Sequence, residues 1–563
     1  MKIKNDAPGI WREYQKGRDY KEHIKLYSNV RKNEAFYIGD QWAGLNAPDL
    51  PKPVLNFLKR VVNVSYATIV SDDIAVSFDP HERTGQNTIL AKALVRQVER
   101  VIENAKIKPK NRDLLRNAAV DGDCCLYLRF NPDLETGQLT KGDIEAEVLE
   151  NINVFFGNPY NAEVQKQPYI ILAMRTLTEE VRDEARANAQ KSWNKLDDAA
   201  IQTIRPDQDE YQGEEDDGDG RLTTKLIKLW KEGGHIWCEV STEHAIIRQP
   251  WDTEQTLYPI AWMSWEKRKS SYHGQSMLTG LIPNQIQVNR LFAMLIRAVE
   301  MNAYPRVVYD PSKIQWNSDP GKNIEATQTG MSRISDAFSV IRGADVSNQV
   351  MEIINSTIDL TRDFMGINDA ALGNVKPDNT SAIIATQQAT AVPLEIQRLA
   401  SFQMIEDVVR IILDIMGAYY GPRDIWLGEG IAALDAEGNI VPAEEGLKPV
   451  TELPFDFSTL GTINYDLNVS IGASSYWSEL MQMQTMDSLF QKGLIADAVV
   501  YLESVPDKYL PNKDKIIDSL KQQQALAAQQ AAMQMQGAAP GLPTDTMAAT
   551  PPALQQLAPT GAL

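Results

Sequence analysis

The sequence is short of the residues that redox and metal chemistry draw on. It holds three cysteines, Cys124, Cys125 and Cys238, and five histidines. Adjacent cysteines on a strand point to opposite faces and do not bridge each other, so no disulfide framework is expected and a reducing compartment fits. No two of His23, His81, His235, His244 and His273 stand four apart on a helix, and no CxxC pair occurs, so a metal site is not expected. A phosphate-binding loop is also missing. Gly321-Lys322 is followed by Asn323, and Trp316 takes the place of the first glycine. There is no dinucleotide fingerprint after a strand and no Gly-x-Ser-x-Gly elbow. Together these absences predict neither catalytic residues nor a cofactor.

An excess of positive charge is lacking as well: 56 Lys and Arg stand against 75 Asp and Glu. The formal net charge is -19, whereas a protein that grips DNA statically neutralises phosphates with a basic surface. Any contact with DNA is therefore expected to be weak and blind to sequence. Acidity alone also serves to keep a protein in solution. Long apolar runs are lacking too: the most apolar stretch, 408–420, is interrupted by Arg410 and Asp414, well short of the roughly 20 residues that span a bilayer. The first twenty residues have no apolar segment of a signal peptide. A soluble chain without a membrane segment is the expectation.

What is present is a large and ordinary globular composition. With 563 residues, 43% hydrophobic and 23% charged, the chain exceeds one hydrophobic core and calls for several domains or an elongated subunit. Tyr20, Ile24, Tyr27 and Val30 recur at helical spacing and predict a helix over 11–36, before Gly39-Asp40-Gln41-Trp42 and the prolines at 48, 51 and 53. An apolar segment at 54–70 leads to a short strand at 74–78. A strongly amphipathic helix follows over 87–105, with Leu90, Leu94, Val98, Val101 and Ile102 as its buried stripe. Helix 110–121 closes on Gly122, a left-handed cap, and strand 124–130 turns back toward 144–149. The polar region 179–221 ends in an acidic run, 214–219, without calcium-loop spacing. Gly233-Gly234 joins strands 222–231 and 236–240 as a hairpin.

Helices dominate the centre. Ile282, Ile286, Phe292, Leu295, Ile296 and Val299 mark a helix over 276–302, roughly 40 Å long if continuous, which Tyr304-Pro305 stops. Val350, Ile354, Ile358 and Met365 mark a second over 346–366. A third starts among the capping residues 379–381 and runs to 420, with Pro393 as a kink or break. Mixed strands and loop fill 306–345, and an Asn-, Asp-, Gly- and Pro-rich loop fills 367–378. Strands to 471 and helices over 477–520 precede a Gln-, Ala- and Pro-rich tail, disordered over its last part. The fold class expected is α+β, mostly helical.

Four stretches carry a resemblance. They are Asn33-Glu34-Ala35-Phe36-Tyr37-Ile38-Gly39-Asp40-Gln41-Trp42; Asp121-Gly122-Asp123-Cys124-Cys125-Leu126-Tyr127; Tyr258-Pro259-Ile260 through Gly274-Gln275-Ser276 with Gln285, Asn289 and Arg290; and Gly366-Ile367-Asn368, Gly373 and Asn379-Thr380-Ser381-Ala382-Ile383. In their order and spacing over residues 20–510 they resemble the portal (head-to-tail connector) proteins of tailed bacteriophages, the short-tailed phages above all. The likeness implies a wing at 1–275, stem helices at 276–303 and 346–366, and a clip at 304–345 between them. It further implies a tunnel loop at 367–378, a long kinked helix at 379–420, returning wing strands at 421–476, crown helices at 477–520 and a tail at 521–563.

Function follows the likeness as an expectation. Such proteins form a ring of twelve subunits at one capsid vertex, through which double-stranded DNA is packaged, retained and ejected. Implied partners are further copies of the chain, the terminase large subunit, tail or head-completion adaptors, and the major capsid and scaffolding proteins. The implied location is the virion, after assembly in the host cytoplasm. Lys376, with Asn374 and Asp378 in the same loop, and Arg290, Arg297 and Arg362 on the stem helices are the candidates to line a DNA channel. For the arginines, ion pairing between subunits is the competing reading. Lys313, Trp316 and Lys322 are the clip's candidates for docking a motor or adaptor, with burial of Trp316 as the alternative. Two other functions stay open at this point: a different virion assembly protein, scaffold or adaptor, and a metal-dependent nuclease, since plentiful carboxylates permit chance pairs.

Overall fold

A computed structural model describes residues 6–48, 50–70, 76–80, 85–135, 141–190, 198–207, 221–303, 306–315, 317, 325–326, 333, 338–341, 348–364, 392–426, 432–434, 440–442, 448–450, 452–462, 465–468, 485–490, 492, 501–502, 516–517 and 519–520. Helix and sheet are mixed, 52% against 23%, so the chain is an α+β protein with helix in excess. It divides into two compact units, Met1–Ala473 and Ser474–Leu563.

In the first unit, Asp6 caps helix α1 (Ala7–His23), its carboxylate accepting from Gly9 N at 3.1 Å, with Pro8 in the first turn. The helix expected over 11–36 is two helices. Lys25 sits in left-handed backbone at φ 59°, which ends the hydrogen-bond ladder of α1 and starts α2 (Leu26–Ile38). The apolar repeat runs across this break, with Ile24 and Val30 packed beside Tyr27 in one small cluster, and periodicity alone does not register one left-handed residue. Gly39, at φ 108°, closes α2. Helix α3 (Phe57–Val70), strand β1 (Ser77–Pro80), α4 (Gly85–Asn104) and α5 (Ile107–Asp121) follow, and α5 stops at Gly122, φ 100°, as its sequence predicts.

Strand β2 (Asp123–Asn131) pairs antiparallel with β3 (Asp143–Leu149) on one side, Phe130 opposite Ile144. It is the axis of the body. Cys124, Leu126 and Leu128 enter the larger core, and Cys125 and Tyr127 enter a second one, because side chains alternate across a strand. All three cysteines are buried and free. The second core lies against a five-stranded antiparallel sheet of β4 (Val154–Phe156), β5 (Tyr169–Leu177), β6 (Leu222–Glu232), β7 (His235–Ser241) and β8 (Ile246–Asp252). Gly233 and Gly234, both at positive φ, turn β6 into β7. Helices α6 (Thr178–Ala189) and α7 (Asp198–Gln202) occupy part of the polar stretch between β5 and β6; its acidic run 214–219 lies outside the described residues. Strand β9 (Ile260–Ser264) completes the β2 sheet.

The chain then leaves the body. Helix α8 (Ile282–Ala303) begins six residues later than its apolar pattern predicts and is about 33 Å long. Residues 276–281 are held instead in a turn in which Ser276 Oγ accepts from Leu278 N at 2.9 Å. Past α8, β10 (Arg306–Tyr309) pairs antiparallel with β13 (Phe338–Ile341), and β11 (Ile314–Gln315) with β12 (Glu325–Ala326). Helix α9 (Asn348–Phe364) returns along α8. Residues 365–391, and with them the loop expected at 367–378, lie outside the described residues. Helix α10 (Glu395–Tyr419) re-enters the larger core with Met404, Val408, Ile412 and Ile415. Pro393 does not kink it from within: it stands in a 3-10 turn, Val392–Leu394, ahead of its first residue, where a missing N–H costs nothing. Ile282 and Leu394, at the two ends of the excursion, belong to the same core.

Strands β14 (Pro422–Trp426), β15 (Ala432–Leu434), β16 (Ile440–Pro442), β17 (Lys448–Val450), β18 (Glu452–Asp456) and β19 (Tyr465–Asn468) end this unit. The last pairs antiparallel with β1, Phe78 opposite Leu467, which ties the last strand of the unit to its first. In the second unit a helical piece at 485–490 is described; Phe490 stacks on Tyr501 with centroids 4.6 Å apart, and the Tyr501 hydroxyl donates to Asp487.

Candidate functional site: the rooted helical hairpin

Three of the four sequence stretches singled out above meet in space. Asp123, at the head of β2, accepts from Gly274 N at 2.7 Å and from His273 Nδ1 at 2.8 Å, all fully buried. Burial pushes the imidazole down to about 4, so it is neutral and its Nδ1–H donates. Gly274 has no room for a side chain, since a Cβ would lie 2.7 Å from Glu266 O and 2.9 Å from Gly122 O. Trp265 N donates to Gly122 O, and Met277 N and Ser276 Oγ donate to Ala119 O. Asn33, from the first stretch, spans Val120 O and Thr279 Oγ1 at 2.8 and 3.0 Å.

From this base a second polar layer fixes the foot of α8. Gln285 Nε2 donates to Leu55 O at 2.8 Å and to Asn289 Oδ1 at 2.9 Å, and Asn289 Nδ2 donates to Gln41 Oε1. Gln285 and Asn289 are buried, and buried amides with directed partners specify one orientation better than apolar contacts do. Asn284 Nδ2 donates to Thr361 Oγ1 at 3.0 Å. That bond joins the first turn of α8 to the last of α9 and makes the pair an antiparallel hairpin.

Beyond its foot the hairpin is poorly covered. Ile286 and Val299, expected on the buried stripe of α8, are exposed, as are Met294 and Met301. Burial follows Ile282, Gln285, Val288, Asn289 and Ala293 instead, the side turned to the body. On α9, Ile354 is buried as expected, while Met351, Ile353 and Leu360 are exposed. Val392, Ile396 and Leu399 at the start of α10 are exposed too.

No protein family matches the chain, and no curated protein does. The site is therefore read from its own chemistry. Arg290 is exposed and makes no ion pair among the described residues. Arg297 pairs with Glu300 at 3.5 Å, and Arg362 with Asp359 at 3.0 Å, each within its own helix. Lys313 pairs with Asp310 at 3.2 Å, and that carboxylate is held below its usual range by its Ser312 hydrogen bonds first and by Lys313 after them. Such exposed pairs contribute little to stability. Lys376, Asn374, Asp378, Trp316 and Lys322 lie outside the described residues. The structure thus brings Arg290 and Arg297 onto one face of α8, with Arg362 near the foot of α9. Met294, Met301, Ile353 and Leu360 were not singled out by the sequence reading. For the two methionines the signal was the second spacing on α8, 286, 290, 294, 297 and 301, which is as regular as the stripe first chosen; for Ile353 and Leu360 it was their separation by seven residues on α9.

Among the described residues no three His, Cys, Asp or Glu side chains gather as metal ligands, and no helix is long and apolar enough to cross a membrane. The buried His273–Asp123 pair is sealed from solvent and acts as a brace for the loop that precedes α8.

Proposed function

We propose that this chain is a portal-type subunit: a protein that assembles around an axis into a ring whose hairpins, α8 with α9, wall a channel for double-stranded DNA. One observation carries the reading. A closely packed body projects a two-helix hairpin whose foot is locked by directed hydrogen bonds and whose upper faces hold exposed Ile, Met, Val and Leu. Apolar patches of this kind mark contacts with other chains. A locked foot sets the angle at which each hairpin meets its neighbour, so that identical copies repeat the contact by rotation.

In this reading the β10–β13 ribbon and the segment around it are the clip, with Lys313, Trp316 and Lys322 as the candidates to dock a packaging motor (the terminase large subunit) and later an adaptor. The body serves as the wing, against capsid and scaffolding proteins in the virion. Arg290, Arg297, Arg362 and the loop with Asn374, Lys376 and Asp378 are candidates for passing contact with the duplex. A net charge of -19 per subunit suits a channel that lets phosphates slide past. No catalysis is assigned to the chain. The test is mass photometry and negative-stain imaging of the full-length protein. Annular particles with a central hole are expected, and a compact monomer across a wide range of concentration and salt would overturn the reading.

A further inference from the structure

The two helices of the hairpin differ in the charge that accompanies their exposed apolar side chains. On α8, Ile286, Arg290, Met294, Arg297 and Met301 follow one another at steps of four, four, three and four, a single solvent-facing stripe that is basic and apolar. On α9, exposed Ile353 and Leu360 lie beside exposed Glu352 and Asp363, an acidic and apolar strip. Within one chain Arg297 pairs with Glu300, whereas neither Arg290 nor Glu352 has an ion-pair partner among the described residues.

Heights along the hairpin can be compared from the Asn284–Thr361 bond, which joins the two helices at one level. At 1.5 Å per residue, Ile286 stands about 3 Å above that level and Leu360 about 2 Å; Met294 about 15 Å and Ile353 about 12 Å; Arg290 about 9 Å and Glu352 about 13 Å. Apolar side chains thus fall level with apolar ones, and Arg290 with Glu352, within the reach of an arginine. A rotation about an axis along the hairpin preserves height. We propose that the α8 stripe docks on the α9 strip of a second copy, with Ile286 against Leu360, Met294 against Ile353, and Arg290 paired to Glu352. The contact rests on the ring reading above and sharpens it. An α8 stripe set against its own copy across a two-fold axis brings arginines together without a counter-charge. The complementary pairing is head-to-tail, the kind that closes into a cycle.

Charge reversal in the full-length chain tests the pairing. Arg290→Glu and Glu352→Arg are made singly and together, and the concentration at half-assembly is read by mass photometry at low salt, with unfolding midpoints as the fold control. Each single reversal is expected to raise that concentration about tenfold or more, and the double reversal to restore it. Assembly that ignores the single changes, or stays lost in the double variant with the fold intact, overturns this contact while the ring reading stands. A wild-type chain that never assembles overturns both.

Discussion

The body and the hairpin solve the same physical problem in opposite ways. In the body even a lysine is buried with partners for its ammonium. Lys21, fully buried, donates to the carbonyls of Asn151, Ile152 and Val154 at 2.7–2.9 Å and lies over the Phe155 ring; burial holds its ammonium well below the usual lysine range. In the hairpin, by contrast, Val299 is 54% exposed and Leu360 54%, although apolar side chains of this size gain about 1.5–3 kcal/mol when fully buried. The body buries its large apolar side chains in cores of its own. The hairpin leaves side chains of the same kind in solvent.

Breaking the body side should have the largest effect. Lys21→Met keeps the volume but strips three buried carbonyls of their donor, and a loss of about 4 kcal/mol in chemical denaturation is expected. A loss under about 1 kcal/mol would mean that water reaches the site. Next comes Gly274→Ala, expected to cost about 3 kcal/mol because the methyl meets backbone oxygens that cannot yield without moving β2. Gly280→Ala, where nothing lies within 4 Å, is its control and should change stability by less than about 1 kcal/mol.

Acidity sharpens the same contrast. Glu239 is fully buried on β7 opposite Lys228, and neither of its oxygens finds a hydrogen-bond partner among the described residues. Burial pushes its carboxyl up to about 7, and Asp121 likewise to about 7. The folded state therefore holds protons that the unfolded chain releases. Stability falls as pH rises from the ordinary carboxyl range to about 7 and is level above it. His273, held down to about 4, works the other way and costs stability as pH falls through 6.5 toward 4. Glu239→Gln should remove its share of the alkaline decline, on the order of 2 kcal/mol between pH 5 and 8. An unchanged profile in that variant would show the carboxylate to be ionised and paired in the native state.

The legible and illegible parts of this chain divide along physical lines. Glycines at positive φ marked the ends of α2 and α5 and the β6–β7 turn, because few other residues take that backbone. The vicinal cysteines were expected to point to opposite faces of a strand, and Cys124 and Cys125 do enter different cores. Composition and spacing were blind to the single left-handed Lys25 that splits the first helix. They also misplaced the start of α8, since Ser276 and the turn at 276–281 serve the body's hydrogen bonds before any helix begins. The buried stripe of α8 was misread for a more instructive reason. Its inner face is built of Gln285 and Asn289 as much as of Ile282, Val288 and Ala293, so a search for apolar periodicity found Ile282 but also took in the exposed Ile286 and Val299. Amides buried by directed partners look polar in sequence and behave as core.

The smallest effect on stability is expected where exposure is greatest. Ile353→Ser with Leu360→Ser removes two large apolar side chains from α9 while leaving its helix propensity nearly the same, as isoleucine and serine rank together and only leucine is a better former. Both positions are more than half exposed in the single chain, so little burial is lost. Unfolding followed where the chain is monomeric should shift by less than about 1 kcal/mol. The same pair of changes should weaken assembly strongly, because each apolar side chain deleted is deleted at every repeat of the contact. If the double variant instead loses several kcal/mol as a monomer, these side chains already have a partner within their own chain. The hairpin would then be a buried part of the body, and the contrast between the two regions would disappear.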